Sequence, residues 1–217
     1  MPENHSPGIT QPIVFVIDDD PSVRTGLTRL LRAAGFQTEA FASIPDFLSR
    51  ERHPAGGCLV LDVFLREGRS LSAREQLIEA GCHLPIVFIS GYADIADSVH
   101  AMKNGAVDFL AKPIGDAELI SAVHRALDQD QQERQRRAEV QSIRERIASL
   151  TAREQEVLRH VVAGKTNAQI ATELGVVLST VKAHRARVMA KMKTRTLADL
   201  VRAVEKAYSD MVDAIGL

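Results

Sequence analysis

Several features that mark a secreted or membrane protein are scarce in this chain of 217 residues. It has two cysteines and no tryptophan. Neither Cys58 nor Cys82 has a further cysteine or histidine at metal-site spacing, so both thiols are expected to be buried and reduced. No run of about 18 apolar residues is present, and residues 1–12 lack the apolar core of a signal peptide. We therefore expect a soluble, cytoplasmic protein.

Charge of either sign is unevenly distributed, although the net charge is only −1. Residues 11–126 carry 11 basic and 15 acidic side chains, whereas residues 149–208 carry 11 basic and 5 acidic ones. A basic segment favours contact with a polyanion, and an acidic one can hold carboxylates for chemistry. Solvated surface charge gives the same counts, so motifs must decide between the two explanations.

Short apolar runs alternate with amphipathic stretches in the first half of the chain. The runs expected to form strands are residues 13–17, 37–41, 59–61, 85–89 and 107–110. They are continuously apolar in places, which is typical of parallel strands buried on both faces. The amphipathic stretches between them predict helices, as in a βαβ arrangement. This half is therefore predicted to be an α/β doubly wound, five-stranded parallel sheet.

The second half contains helical patterns only. Residues 128–147 have no glycine or proline and predict a helical linker. Helices are then expected at about 152–163, 167–173, 179–192 and 196–208. Thr151 and Thr166 open capping boxes, and Gly164 and Gly175 separate helices. The pair joined through Gly175 has helix-turn-helix spacing, so a small all-α helix-turn-helix domain is predicted.

Polar side chains that suit phosphoryl chemistry follow the predicted strands. Asp18 and Asp19 follow the first strand, Asp62 ends the third, Ser90 the fourth and Lys112 the fifth. The carboxyl ends of parallel strands meet at one edge of a sheet, so these side chains should converge. Clustered carboxylates need a cation, and Mg2+ prefers such oxygen ligands. Each residue alone is explained by a turn or a cap, but together they predict phosphoryl transfer to a carboxylate.

The motifs VIDDDPSVR, LVLD, FISGYADI and AVDFLAKP occur in order over residues 12–127. This segment resembles the receiver domain of bacterial response regulators, which implies a flavodoxin-like fold, and the whole chain resembles the FixJ/NarL type. The resemblance implies that Asp62 is the phosphoacceptor. The implied Mg2+ ligands are Asp18, Asp19, Asp62 and the backbone carbonyl of Phe64. The other implied features are phosphoryl contacts from Ser90 and Lys112, an aromatic switch at Phe109, and a cis peptide between Lys112 and Pro113.

The loop after Asp62 departs from the family pattern. The family usually has a proline four residues after the phosphoacceptor and a glycine eight residues after it, where this chain has Arg66 and Ser70. These departures leave open an alternative in which the receiver only binds other proteins and is not phosphorylated. A third possibility, an aspartyl-phosphate phosphatase, needs a second acid where Phe64 stands and is disfavoured. An enzyme acting on outside substrates is therefore not expected.

The segment LTAREQEVLRHVVAGKTNAQIATELGVVLSTVKAHRARVMAKM resembles the LuxR-type helix-turn-helix, over residues 148–208. Helical spacing predicts that Val181, Val188 and Met192 point inward. The resemblance implies base contacts from Lys182 and Ala183, and phosphate or packing roles for others. The full set of expected DNA-contacting residues is Lys165, Thr166, Asn167, Thr180, Lys182, Ala183, His184, Arg187 and Lys191.

Val177 stands where the family usually has serine, so Ser179 is expected to cap a later start of this helix. Leu178 is expected to be exposed, without an assigned role. Leu197, Leu200, Val201 and Val204 lie on one stripe of the last predicted helix. That stripe is explained by packing in the core or by the pairing of two DNA-binding domains.

These patterns predict a response regulator whose phosphorylation by a cognate sensor histidine kinase promotes dimerisation and promoter binding. Mg2+ is the expected cofactor, RNA polymerase is a further expected partner, and no membrane contact is expected. The expected division is a disordered tail at 1–11, a receiver at 12–127, a linker at 128–147, a DNA-binding domain at 148–208 and a tail at 209–217.

Overall fold

The computed structural model describes residues 11–50, 56–65, 68–69, 73–91 and 95–215. The chain divides into two compact units, Met1–Glu133 and Arg134–Leu217. Most of the predicted N-terminal tail, and both Arg66 and Ser70, lie outside the described residues. None of the helices in the described ranges is long and apolar enough to cross a membrane.

The first unit is built on a parallel sheet. Its strands in chain order are β1 (Ile13–Ile17), β2 (Gln37–Phe41), β3 (Gly57–Asp62), β4 (Phe64–Leu65), β5 (Gly68–Arg69), β6 (Ile86–Ser90) and β7 (Asp108–Ala111). Five of them pair in the parallel order β2-β1-β3-β6-β7, and β4 and β5 form a short antiparallel pair. Strands β1, β3 and β6 are buried at every position, which explains their continuous apolar runs. The predicted fold class is confirmed.

Helices cover the sheet and complete two apolar cores. They are α1 (Pro21–Ala33), α2 (Ile44–Ser49), α3 (Ala73–Glu79), α4 (Ile95–Lys103) and α5 (Asp116–Ala148). One core contains Phe15, Phe47 and Leu61, and the other contains Leu31 and Val60. Helix α2 was not predicted. Its signal is Ser43, whose side chain accepts a hydrogen bond from the amide of Asp46 and caps the helix.

Gly57 holds the start of β3 against β1 and α5. Its φ is +152°, and a Cβ placed on it would lie 1.9 Å from the carbonyl oxygen of Ile13. Its amide donates a 3.1 Å hydrogen bond to the carboxylate of Asp130 in α5, which is 2% exposed. A side chain cannot be accommodated at this position, because the obstructing atom belongs to the backbone of a central strand.

Gly57→Ala is therefore expected to destabilise the first unit by about 3 kcal/mol or more, through backbone strain and overpacking together. Urea unfolding followed by circular dichroism measures the loss. Gly26→Ala in α1 is the matched control, because nothing lies within 4 Å of its added Cβ and alanine favours a helix. Equal stabilities of the two variants would show that the close approach at Gly57 is relaxed in solution.

The second unit is wholly helical where it is described. Its helices after α5 are α6 (Ala152–Val162), α7 (Asn167–Leu174), α8 (Leu178–Met192) and α9 (Leu197–Ile215). As predicted, Val181, Val188 and Met192 are fully buried. The end of α5 contributes Ile143 to the same core, and Arg144 donates hydrogen bonds to the carbonyl of Ala207 in α9. Part of the segment expected to be a linker thus packs as part of this unit.

Both predicted capping boxes are present, at Thr151 with Glu154 and at Thr166 with Gln169. The expected cap at Ser179 is wrong. Helix α8 begins at Leu178, one residue before the start predicted at 179. Its N-cap is Val177, whose side chain makes no capping hydrogen bond.

Two further expectations need correction. Helix α9 continues to Ile215, past its expected end at Tyr208. Cys82 is partly exposed, whereas Cys58 is buried as expected. Burial, together with the charge of Asp130, raises the pKa of the Cys58 thiol.

An ion pair between a buried glutamate and a partly exposed lysine joins α6 to α8. The carboxylate of Glu154 accepts hydrogen bonds from Lys191 at 2.6 Å and from the amide of Thr151 at 2.9 Å. The Glu154 side chain is 4% exposed, so these donors replace water around it. The hydrogen bond from Lys191 and the one from the Thr151 amide lower the pKa of Glu154 to about 2. The charged form of this residue therefore stabilises the folded state.

Because the pKa of Glu154 falls on folding from its ordinary 4.5 to about 2, its stabilisation is complete above pH 4.5 and is lost as the pH falls towards 2. Glu154→Gln keeps an acceptor for the Thr151 amide but loses the ion pair. We expect this variant to melt at a lower temperature at pH 7 and to show less pH dependence in that window. Calorimetry at pH 7, 4 and 3 measures the melting temperatures, with Glu205→Gln at an exposed position as the control. Melting temperatures of Glu154→Gln and the wild type that fall equally with pH would contradict the expectation.

Candidate functional site

The predicted acidic residues converge where the strand order reverses. Asp18 follows β1 and Asp62 ends β3, and these two strands are neighbours in the sheet. Crevices at such reversals are the usual ligand sites of doubly wound sheets. Asp18 is 0% exposed and Asp62 is 6% exposed. Two acidic side chains are thus held close together and largely out of water.

Lys112 lies between these carboxylates. Its ammonium donates to Asp62 at 2.6 Å and to Asp18 at 2.9 Å. Lys112 directly follows β7, and its peptide bond to Pro113 is cis, which confirms that expectation. The other oxygen of Asp62 accepts a 2.9 Å hydrogen bond from the amide of Phe64. The position of the Asp62 carboxylate is therefore fixed from two sides.

The electrostatics of the pocket favour a cation. Burial raises the pKa of Asp18 above its usual range, although hydrogen bonds from Lys112 and from the Asp20 amide act in the opposite direction. For Lys112, burial acts to lower the pKa, but hydrogen bonds to Asp62 and Asp18 outweigh it and the pKa is raised. The lysine therefore stays charged, and a further cation beside the carboxylates would offset the remaining cost of burying Asp18.

Of the three consecutive aspartates after β1, two belong to the pocket. The side chain of Asp20 caps α1, where it accepts from the amides of Ser22 and Val23. Ligand oxygens of Asp18, Asp19 and Asp62 lie within 4.8 Å of one another. Three carboxylates at that spacing fit a hard divalent cation such as Mg2+, which is bound by few protein oxygens and keeps several waters.

The remaining predicted residues of this pocket lie on the same sheet edge. Ser90 is fully buried at the end of β6, and its carbonyl accepts the amide of Lys112 at 2.7 Å. Phe109 in β7 is partly buried against the core that contains Phe15. The structure thus brings together a carboxylate cluster, a hydroxyl residue and a lysine, which together suit phosphoryl transfer to Asp62.

Sequence reasoning missed one residue that shapes this pocket. The guanidinium of Arg24 donates a 2.6 Å hydrogen bond to the carbonyl of Asp18 and so ties α1 to the end of β1. Nothing in the sequence distinguishes this arginine from the others on α1, because the contact depends on the bend of the chain around Asp20.

The second predicted site lies on α8. Lys182, Ala183 and Arg187 are exposed on the side of the helix opposite its buried valines. Within the described ranges, neither Lys182 nor Arg187 forms an ion pair with an acidic side chain. A helix with an exposed basic face can enter the major groove of DNA.

The other predicted DNA-contacting residues have partners within the unit. Lys165 pairs with Glu173, and the Thr166 hydroxyl caps α7. Asn167 accepts a 2.8 Å hydrogen bond from Arg185, which orients α7 against α8. Lys191 pairs with the buried Glu154.

Two further residues of the predicted set lie on α8. Nδ1 of His184 is buried without a hydrogen-bond partner, which favours a packing role for this side chain. Thr180 is partly exposed at the start of the helix. A role in DNA contact stays a prediction for all six of these residues: Lys165, Thr166, Asn167, Thr180, His184 and Lys191.

Two known family models match this chain, one in each half. Residues 14–124 match the model of the response regulator receiver domain. Residues 148–204 match that of the bacterial regulatory proteins of the luxR family. The first match contains Asp18, Asp62 and Lys112, and the second contains α6, α7 and α8.

Curated proteins align with this chain over most of their length. Nodulation protein W of Bradyrhizobium diazoefficiens is 42% identical over 201 residues, covering 93% of this chain and 88% of the relative. Response regulator protein TodT of Pseudomonas putida is 42% identical, covering 89% and 86%.

Two solved structures of response regulators are similar to this chain. The response regulator StyR matches with a TM-score of 0.78 and 44% identity, covering 91% of this chain and all of that one. Full-length FixJ from B. japonicum matches with a TM-score of 0.54 and 34% identity, covering 91% and 98%. The chain therefore belongs to the response regulators, as a transcriptional regulator that joins a receiver domain to a LuxR-type DNA-binding domain.

Proposed function

We propose that phosphorylation of Asp62 by a cognate sensor histidine kinase controls how α8 binds promoter DNA. The observation that carries this proposal is the placement of Asp62 within 2.6 Å of the Lys112 ammonium, beside Asp18 and the buried Ser90. The same proposal places the protein in the cytoplasm, where bacterial promoter DNA lies. It also assigns residues 12–127 to the receiver, 128–147 to the linker and 148–208 to the DNA-binding domain.

The chemistry follows from the pocket. The carboxylate of Asp62 attacks the phosphorus of the donor's phosphohistidine, the bond to the histidine nitrogen breaks, and the phosphoryl group stays on Asp62. Asp18, Asp19, Asp62 and the backbone carbonyl of Phe64 would hold Mg2+, which would supply positive charge to offset that of the transferring oxygens. Lys112 and the Ser90 hydroxyl then hold the phosphoryl oxygens. The protein accepts a group on its own side chain and needs no further substrate.

The effect of the new charge on Asp62 has to be transmitted to the DNA-binding domain. Lys112 forms ion pairs with both Asp62 and Asp18, so a phosphoryl group would redistribute its contacts. Phe109 lies in β7, three residues before Lys112, and its partly buried ring is the group proposed to repack in response. The repacked face would then form a homodimer.

On DNA, a dimer can place two α8 helices on two half-sites. Lys182 and Ala183 are proposed to contact bases, and Arg187 is proposed to contact phosphate, because these residues share the exposed face of α8. Once bound at a promoter, the dimer would contact RNA polymerase.

Beryllofluoride with Mg2+ mimics an aspartyl phosphate, so it tests the switch without the kinase. We expect the wild-type protein to shift from monomer to dimer in analytical ultracentrifugation when both are added, and we expect Asp62→Asn not to shift. Loss of the shift on removal of Mg2+ would support the metal assignment.

Wild-type protein that does not respond to beryllofluoride would favour the alternative that the receiver is only a protein-interaction module. The departures at Arg66 and Ser70 are the observation behind that alternative.

A further inference from the structure

Two large apolar side chains are exposed at the start of α8. Val177 is 67% exposed and Leu178 is 43% exposed. Val181 belongs to the apolar core of this domain and Val176 packs against that core, whereas neither Val177 nor Leu178 does so. Val177 occupies the N-cap, where serine, threonine, asparagine or aspartate would stabilise a helix by about 1 kcal/mol relative to an apolar residue. The pair therefore contributes neither to the core nor to the helix cap.

Helical geometry puts Leu178 on the same face as the basic residue expected to contact bases. Residues four apart lie above one another on a helix, so Leu178 is one turn before Lys182. Both are exposed, whereas Val181, which directly precedes Lys182, is fully buried. If Lys182 faces the base edges, Leu178 enters the same groove at the N-terminal end of α8.

The major groove of DNA contains one kind of apolar group that such a side chain can contact. Each base pair offers hydrogen-bond donors and acceptors there, and thymine alone adds a methyl group. An alkyl side chain cannot pair with the donors and acceptors, but it can bury that methyl group. One helical turn rises about 5.4 Å, which corresponds to one or two base pairs at roughly 3.4 Å each.

We propose that Leu178, flanked by Val177, contacts the 5-methyl group of a thymine one or two base pairs from the base that Lys182 contacts. Leu178 thereby selects thymine at that position of each half-site. The inference rests on the proposed placement of α8 in the major groove and adds a specificity determinant to it. A protein surface that covered the pair instead would be indifferent to the methyl group.

The test uses the full-length protein with beryllofluoride and Mg2+. A preferred site is first selected from random-sequence DNA, and each thymine of that site is then replaced in turn by deoxyuridine, which lacks only the methyl group. Replacement of thymine by deoxyuridine at one position per half-site should lower the wild-type affinity roughly four-fold, which is the effect of losing one buried methyl group. Leu178→Ala should lose this sensitivity at the same position.

Lys182→Ala is the matched control, because it should bind more weakly overall but keep the methyl sensitivity. Leu178→Ala should fold normally, since the side chain is not in the core, and an unchanged circular dichroism melt checks this. Deoxyuridine tolerated at every thymine, or an equal penalty in the wild type and Leu178→Ala, would overturn the inference while leaving DNA binding intact. A selection that returns no preferred sequence would instead overturn the proposed DNA recognition together with the inference.

Discussion

Asp62→Asn is expected to reduce phosphoryl incorporation to background, whereas the wild-type protein gains one phosphoryl group per chain from a small phosphodonor with Mg2+. Asparagine has nearly the same size and keeps an acceptor for the Phe64 amide, which lies 2.9 Å from Asp62. Its amide oxygen is a poor nucleophile, so the loss would be chemical and not a consequence of misfolding. Intact-protein mass spectrometry measures the incorporated group.

Asp128→Asn is the matched control for this experiment, because Asp128 is exposed on α5 and does not belong to the carboxylate cluster of the pocket. It should be phosphorylated like the wild type. Label remaining on Asp62→Asn would mean that another carboxylate accepts the phosphoryl group, with Asp18 and Asp19 as the nearest candidates.

Lys182→Ala is expected to weaken binding to a selected DNA site by roughly ten- to a hundred-fold and to relax base preference at one position of each half-site, as loss of a specific base contact does. Lys182 is exposed on α8 and pairs with no acidic residue in the described part of the chain, so its removal should leave the domain fold intact. Fluorescence anisotropy against the selected site and single-base variants gives both quantities.

Two comparisons sharpen this result. Arg187→Ala should weaken binding equally for all sequences, because a phosphate contact carries no base information. It should also reduce the slope of log affinity against log salt concentration by about one. Arg159→Ala removes a positive charge from the exposed face of α6 and should change neither property. A Lys182→Ala variant with wild-type affinity would show that α8 does not carry base recognition.

The main features of the fold were predictable because they depend on local patterns. Burial on both faces gives β1, β3 and β6 continuous apolar runs, and the capping boxes at Thr151 and Thr166 fix two helix starts. The short helix α2 was missed because six residues give little periodicity. The start of α8 was misplaced because Val177 caps the helix without a hydrogen-bonding side chain.

The acidic pocket was predictable for a topological reason. Asp18, Asp62, Ser90 and Lys112 end or follow parallel strands, and the sheet brings such positions to one edge. Sequence could not show that Lys112 forms ion pairs with two carboxylates simultaneously, since that depends on distances set by packing.

The same limit applies in the DNA-binding domain. Lys191 looked like an outward basic residue, but in the fold it is the partner of a buried glutamate 37 positions earlier. The depth at which Glu154 is buried comes from the packing of α6 on α8, and spacing along the sequence does not show it.

The affinity of the full-length protein for its selected DNA site, with and without beryllofluoride and Mg2+, tests most directly whether the charge on Asp62 controls α8. We predict that the wild type binds roughly ten-fold or more tightly in their presence, within the usual range of coupling between two sites. Asp62→Asn should bind with the same affinity in both conditions. Equal wild-type affinity in both conditions would contradict the coupling and leave the receiver without a phosphorylation-dependent role.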